Sequence, residues 1–273
     1  MNAAQYISVT GGQLHYYRFG QGPELVFAFH GYGEEGLSFS ELAEVLGPTY
    51  TLIALEMPFH GQSLWQGPLF FPPEQLAGIL ENLAGSQPFS LLGYSMGGRI
   101  SLQLLQMIPD KIKGLVLIAP DGLHRNPWQR IATRTWLGNR IFRFTMQHPA
   151  WLFGLMRLGV ALGFFQPGIR KFAMYYLGEA AARHILYQRW TTMRGFRPAI
   201  TTLRKNINNH PIQVQMLFGK YDRIILSKNA SRLSRGLETK VTTRIEATGH
   251  QLMRSDYFTL IREMLVIVSQ SRL

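Results

Sequence analysis

The sequence predicts an α/β fold, a mostly parallel central sheet with helices on both faces, interrupted once by an inserted helical segment. Three observations predict it. Short continuous apolar runs recur through residues 1–120 with helical spacings between them, as expected of strands buried on both faces and joined by crossover helices. The same alternation resumes at Pro211 and runs to the end of the chain. Between the two stretches, from Asp121 to His210, the texture changes to Arg, Trp, Phe and Gly with few β-branched runs.

Taken in order, Tyr6–Val9 and Leu14–Phe19 read as paired strands turning at Gly11-Gly12. Leu25–Phe29 is a buried strand, Phe39–Leu46 a short helix and Thr51–Leu55 the next buried strand. Leu76, Ile79, Leu80 and Leu83 give Pro73–Leu83 helical spacing, and Phe89–Leu92 is a third buried strand. Met96–Ile108 is helical and stops at Pro109, ahead of the strand Leu115–Ile118. After the insertion come a strand at Ile212–Phe218, a helix at Lys228–Leu237, a strand at Val241–Ile245 and an apolar closing helix at Tyr257–Val268. The expected division is therefore 1–120 with 211–273 as one α/β body, and 121–210 as an insertion within it.

With 273 residues and 46% of them hydrophobic, the chain has material for a large core, which argues against disorder. It contains no cysteine, so thiol nucleophiles, thiolate zinc sites and disulfides are excluded. The start, Met1 to Tyr6, lacks the basic and apolar segments of a secretory signal, and the apolar stretch Ala150–Phe165 is too short to span a bilayer. The expected location is cytoplasmic, with peripheral membrane contact left open. There is no dinucleotide fingerprint, P-loop or spaced histidine motif, so no cofactor and no metal is expected.

The segment Gly93-Tyr94-Ser95-Met96-Gly97-Gly98 is the most informative in the chain. It sets Gly-x-Ser-x-Gly between a buried strand and a helix, where a sharp turn presents the serine hydroxyl at the helix N-terminus. The bland alternative is a serine N-cap in a glycine-rich turn. A serine nucleophile needs a base, and the base needs an orienting acid. His250, on the loop after the last strand, is the candidate base. Asp222 and Asp121 both follow strands, and physics lets either reach the imidazole. Donors for an oxyanion are expected from the Met96 N–H and from the Tyr32 N–H, in the loop His30-Gly31-Tyr32-Gly33 after the first buried strand. His30, Gly31 and Gly33 support that loop, which otherwise reads as a glycine-rich connection.

His30-Gly31-Tyr32-Gly33, Pro58-Phe59-His60-Gly61-Gln62-Ser63, the Ser95 turn and the late Asp222 and His250 together resemble the α/β-hydrolase superfamily. The resemblance covers residues 1–120 and 211–273 and keeps the family order of Ser, Asp, His. It implies Ser95 as nucleophile, His250 as general base, Asp222 as its orienter with Asp121 as the alternative, and Met96 and Tyr32 as the oxyanion hole. It also implies that the insertion is a lid or cap. Glu56 departs from the aspartate usual in this segment, at a position read as structural. A serine at the turn argues against epoxide hydrolases and haloalkane dehalogenases. What the resemblance implies is a serine hydrolase of carboxylic esters, with thioester or carbon–carbon hydrolysis, cofactor-free perhydrolysis and non-hydrolytic ligand binding as alternatives.

Net charge is +12, and residues 121–210 carry 14 basic side chains against Asp121 and Glu179. The whole excess therefore falls in the insertion, which also holds Trp128, Trp136, Trp151 and Trp190. Arginine interleaved with large apolar groups suits an anionic membrane surface or an amphiphilic substrate, and the apolar stretch Ile141–Phe165 suits an acyl pocket. The alternative is ordinary packing with a solvated basic face. No nucleic-acid-binding module accompanies the charge, so nucleic acid is not an expected partner. A small apolar or amphiphilic ester is.

Overall fold

The computed structural model describes residues 5–124, 126–162 and 177–270. Its centre is a nine-stranded sheet. The strands are β1 (Gln5–Val9), β2 (Gly12–Phe19), β3 (Glu24–Phe29), β4 (Tyr50–Leu55), β5 (Leu64–Trp65), β6 (Phe89–Tyr94), β7 (Ile112–Ile118), β8 (Gln213–Gly219) and β9 (Val241–Glu246). Their spatial order is β1-β2-β4-β3-β6-β7-β8-β9, with β5 paired to β2. β1, β2 and β5 pair antiparallel, as does β2 with β4, and every pair from β4 to β9 is parallel.

The helices of this body are α1 (Ser40–Leu46), α2 (Pro73–Ala84) and α3 (Met96–Met107). A second group, α4 (Pro127–Arg134), α5 (Trp136–Gln147), α6 (Ala150–Ala161) and α7 (Ala180–Thr192), lies between β7 and β8 in the chain. Then come α8 (Ile200–Asn209), α9 (Ser231–Ser234) and α10 (Ser255–Ser269). On one face of the sheet, Val26, Ala28, Leu92, Val116 and Ile118 meet Leu42 and Leu46 of α1 and Phe258, Ile261 and Leu265 of α10. On the other, Phe27 and Phe89 pack edge to face with centroids 4.8 Å apart. Each of the Val, Leu, Ile and Phe side chains among them contributes about 1.5–3 kcal/mol on burial.

Most elements match the sequence pattern to within a residue or two at each end. The expected helix Lys228–Leu237 is shorter, a 3-10 turn at Ser227–Ala230 followed by the single turn of α9. Gly236, at a φ of +74°, lies where the expected helix would have continued. The strand β5 has no periodicity to announce it, being two residues long.

The described residues form two compact units, 1–67 with 72–124 and 196–273, and 68–71 with 125–195. The boundary differs from the expected 121–210 by four residues at its early end and by fifteen at its late end. Residues 196–210 belong to the α/β body because α8 is tied to α3. The Asn206 side-chain amide donates to the Leu105 and Gln106 carbonyls, and Gln103 and Gln106 accept from the Arg197 and Ala199 N–H groups.

The second unit has its own polar framework. Asn126 caps α4 by accepting from the Trp128 and Gln129 N–H groups, and Thr135 caps α5 through Gly138. Asn139 donates to the Ala132 carbonyl and the Thr191 hydroxyl while accepting from the Tyr187 hydroxyl at 2.9 Å. Residues 68–71 join this unit because Phe71 N–H donates to the Thr192 carbonyl and Arg194 lies over the Phe70 ring. Beyond residue 162, the expected apolar stretch Ile141–Phe165 lies outside the described residues. Among the described residues no helix is long and apolar enough to cross a membrane.

Candidate active site

Ser95 sits between β6 and α3 at φ +51° and ψ −112°, a region that L-residues rarely occupy and that costs about 1–3 kcal/mol. The turn closes only because two neighbours lack side chains. A Cβ on Gly97 would fall 1.9 Å from the Phe29 carbonyl oxygen, and one on Gly93 would fall 2.6 Å from the Gly97 oxygen and the Ser101 hydroxyl. Backbone bonds hold the corner, with Ser95 N–H on the Ile118 carbonyl and the Ser95 carbonyl accepting from Gly98 and Asp121.

The structure brings Ser95, His250 and Asp222 together across 155 residues of sequence. Ser95 Oγ lies 3.0 Å from His250 Nε2, and His250 Nδ1 lies 2.7 Å from Asp222 Oδ2. The other carboxylate oxygen, Oδ1, accepts from the N–H groups of Ile224 and Ile225 at 2.7 and 2.9 Å, which fixes the plane of the group. A carboxylate can only accept, so Nδ1 carries the imidazole proton and Nε2 accepts from the serine hydroxyl. The Asp222 side chain is fully buried, whereas that of His250 keeps 16% of its surface exposed.

Asp121 is placed elsewhere. Its Oδ1 accepts from the Gly122 N–H at 2.7 Å and its Oδ2 lies 3.5 Å from Arg99 Nε. It occupies the turn after β7, held to the serine corner through its own N–H rather than through its carboxylate.

Met96 opens α3, so its N–H has no carbonyl one turn back to bind. Tyr32 lies in the loop after β3, which runs parallel to β6 with Phe29 opposite Gly93, so the two loops leave the sheet side by side. His30 is fully buried. Its Nε2 accepts from the Met57 N–H at 3.2 Å and its Nδ1 donates to the Gly31 carbonyl at 2.8 Å, which ties the loop to the segment after β4. Gly33 takes φ +81°. Gly31 has no room for a side chain beyond ordinary contact, because a Cβ there would meet the Tyr94 ring at 3.1 Å and Glu34 Oε2 at 3.0 Å.

Glu56, the departure from the usual aspartate, is completely buried and binds three segments: His15 Nδ1, the Gly36 N–H and the Gln62 N–H at 2.9, 2.9 and 2.6 Å. Two further residues beside the site carry no signature in the sequence. Glu34 accepts from the Gly31 N–H at 3.2 Å. Burial raises its carboxyl above the ordinary value, opposed by that hydrogen bond and by the neighbouring His250. The Tyr94 hydroxyl donates to the His250 carbonyl at 3.2 Å, and burial, then Glu34 and Asp222, push it above the usual phenol range. Nothing local marks their nearness to His250, which lies on a loop more than 150 residues further along the chain.

A family model described as alpha/beta hydrolase fold matches residues 24–252. The pimeloyl-[acyl-carrier protein] methyl ester esterase of Aeromonas salmonicida (strain A449) is 35% identical over 127 residues, covering 44% of this chain and 48% of that protein. Lipase LipV of Mycobacterium tuberculosis (strain ATCC 25618 / H37Rv) is 34% identical over 110 residues, covering 39% and 41%. The matched span is thus under half the length of each of these relatives. Among solved structures, a thermophilic esterase from Thermogutta terrifontis superposes with a TM-score of 0.67 at 19% identity, covering 98% of this chain and 100% of that one, a likeness of fold.

Proposed function

Because the chain belongs to the alpha/beta hydrolase fold family, we propose that it is a serine hydrolase cleaving carboxylic esters with an apolar acyl chain. The observation that carries this reading is the unbroken line of hydrogen bonds from Ser95 through His250 to Asp222. In acylation, His250 Nε2 takes the Ser95 proton as Oγ adds to the ester carbonyl. Asp222 keeps the ring in the required tautomer and stabilises the imidazolium that forms. The Met96 and Tyr32 N–H groups receive the developing oxyanion. The intermediate collapses by expelling the alcohol, which takes the proton from His250. Water deprotonated by the same nitrogen then frees the acid and restores Ser95.

The relatives named as a methyl ester esterase and a lipase support an ester as the substrate. A chain-length series of p-nitrophenyl esters tests the reading, with Ser95→Ala as control. Turnover is expected with wild type and a loss of at least about a thousand-fold with the variant. Equal turnover by the variant, or equal labelling of both proteins by a fluorophosphonate, would sink it.

A second reading concerns the unit of residues 68–71 and 125–195, taken as a lid that also meets anionic membrane. That unit holds eleven basic residues against Glu179 alone. It exposes Trp128 and Trp136 at 78% and 75%, together with Leu137, Phe144 and Leu155. Large apolar side chains among arginines support contact with an anionic interface.

A further inference from the structure

We propose that the second compact unit contains its own binding site for an anionic amphiphile, a carboxylate or phosphate monoester on a short apolar chain. The site is a cavity of about 460 Å³ between α5 and α7, of a size suited to small organic ligands. Arg143, Arg183 and His184 line it together with Tyr187, Leu69 and Met146, and among the described residues none that lines it is acidic.

Arg183 is the centre of the case. It is 8% exposed. Its Nε donates to the Met146 carbonyl and its Nη1 to the Leu177 and Gly178 carbonyls, all at 2.8 Å. A guanidinium has five N–H donors, so these bonds leave the two on Nη2 without a protein partner among the described residues. Its partners among the described residues are all neutral carbonyls. A buried cation without a counter-charge is costly, and the cost falls when an anion completes the pair. The unit cannot easily supply that anion, since its one acidic residue, Glu179, is exposed.

The two Nη2 N–H groups of Arg183 are left to donate to oxygens of a carboxylate or phosphate, and the exposed Arg143 adds a second positive charge to the same cavity. Leu69 and Met146 offer the apolar surface that a short alkyl chain needs. The three carbonyl bonds hold the Arg183 side chain in place before any ligand arrives, so little rotamer entropy remains to be lost on binding. This site is independent of the reaction assigned to Ser95.

Calorimetric titration of the full chain with octanoate, octyl phosphate and 1-octanol tests the proposal. At least one anion is expected to bind about tenfold or more tightly than the alcohol. Whichever anion binds more tightly identifies the head group. Arg143→Gln is expected to weaken anion binding about fivefold or more at unchanged Tm, and Ser95→Ala to leave it unaltered. Arg183→Gln should abolish it; if that variant does not fold, Arg143→Gln decides. Octanol binding as tightly as the anions, or full affinity in Arg143→Gln, would overturn the proposal.

Discussion

Two carboxylates compete for one imidazole, and 2.7 Å separates them into different roles. Asp222 is within hydrogen-bonding distance of His250 Nδ1, while Asp121 binds its own turn and Arg99. Asp222→Asn places an amide against Nδ1 and favours the wrong tautomer, so kcat on esters should fall by about ten-thousand-fold. Asp121→Asn should change kcat by less than about threefold. Comparable losses in the two variants would contradict the assignment. Glu34 behaves differently, because burial raises its carboxyl. Whatever it contributes to stability is present in full below its unfolded value near 4.5 and is lost as pH rises through the higher folded value. Glu34→Gln stays neutral and keeps an acceptor for the Gly31 N–H. Its Tm relative to wild type should therefore climb between about pH 4 and about pH 8. An offset that stays flat or falls over that range would mean that burial of the charge is not what matters there.

At the scale of elements, the corner between β6 and α3 was legible because its requirements are local. A strained serine, a glycine two residues either side and a helix start all fall within one short segment, Gly93 to Gly97. The glycines are not interchangeable with others in the chain. Gly97→Ala drives a Cβ into the Phe29 carbonyl and should destabilise by about 3 kcal/mol or more. Gly78, inside α2 with nothing within 4 Å of its absent Cβ, is the contrast. Gly78→Ala should stabilise by about 0.5–1 kcal/mol. Urea-unfolding midpoints read both, and a shift of the same sign for the two would refute the steric account. Weakly periodic elements were less legible. The short β5 has too few residues to show alternation, and the Lys228–Leu237 pattern gave way at Gly236.

Across the whole molecule, the basic charge divides unevenly between the two units. With 196–210 assigned to the α/β body, Arg197, Arg204 and Lys205 move with it, yet the second unit keeps eleven basic residues to one acidic. If that unit meets anionic membrane, the full chain should co-sediment with vesicles rich in anionic lipid and be released by salt, since exposed charges are screened within about 8 Å at physiological ionic strength. Replacing Trp128 and Trp136 by Ala should weaken the association without changing its salt sensitivity. Equal binding to neutral vesicles would count against the membrane reading.

The sequence by itself determined the parallel sheet, the serine corner, the candidate histidine and the segregation of charge. Periodicity, glycine spacing and composition are properties of neighbouring residues, and a chain states them directly. Only the tertiary structure decided which carboxylate reaches His250, that Glu34 and Tyr94 stand beside it, and that α8 belongs to the body. Those outcomes depend on which loops emerge together from adjacent parallel strands and which helix faces dock. Both are set by packing between segments well separated in sequence, where no local pattern reaches.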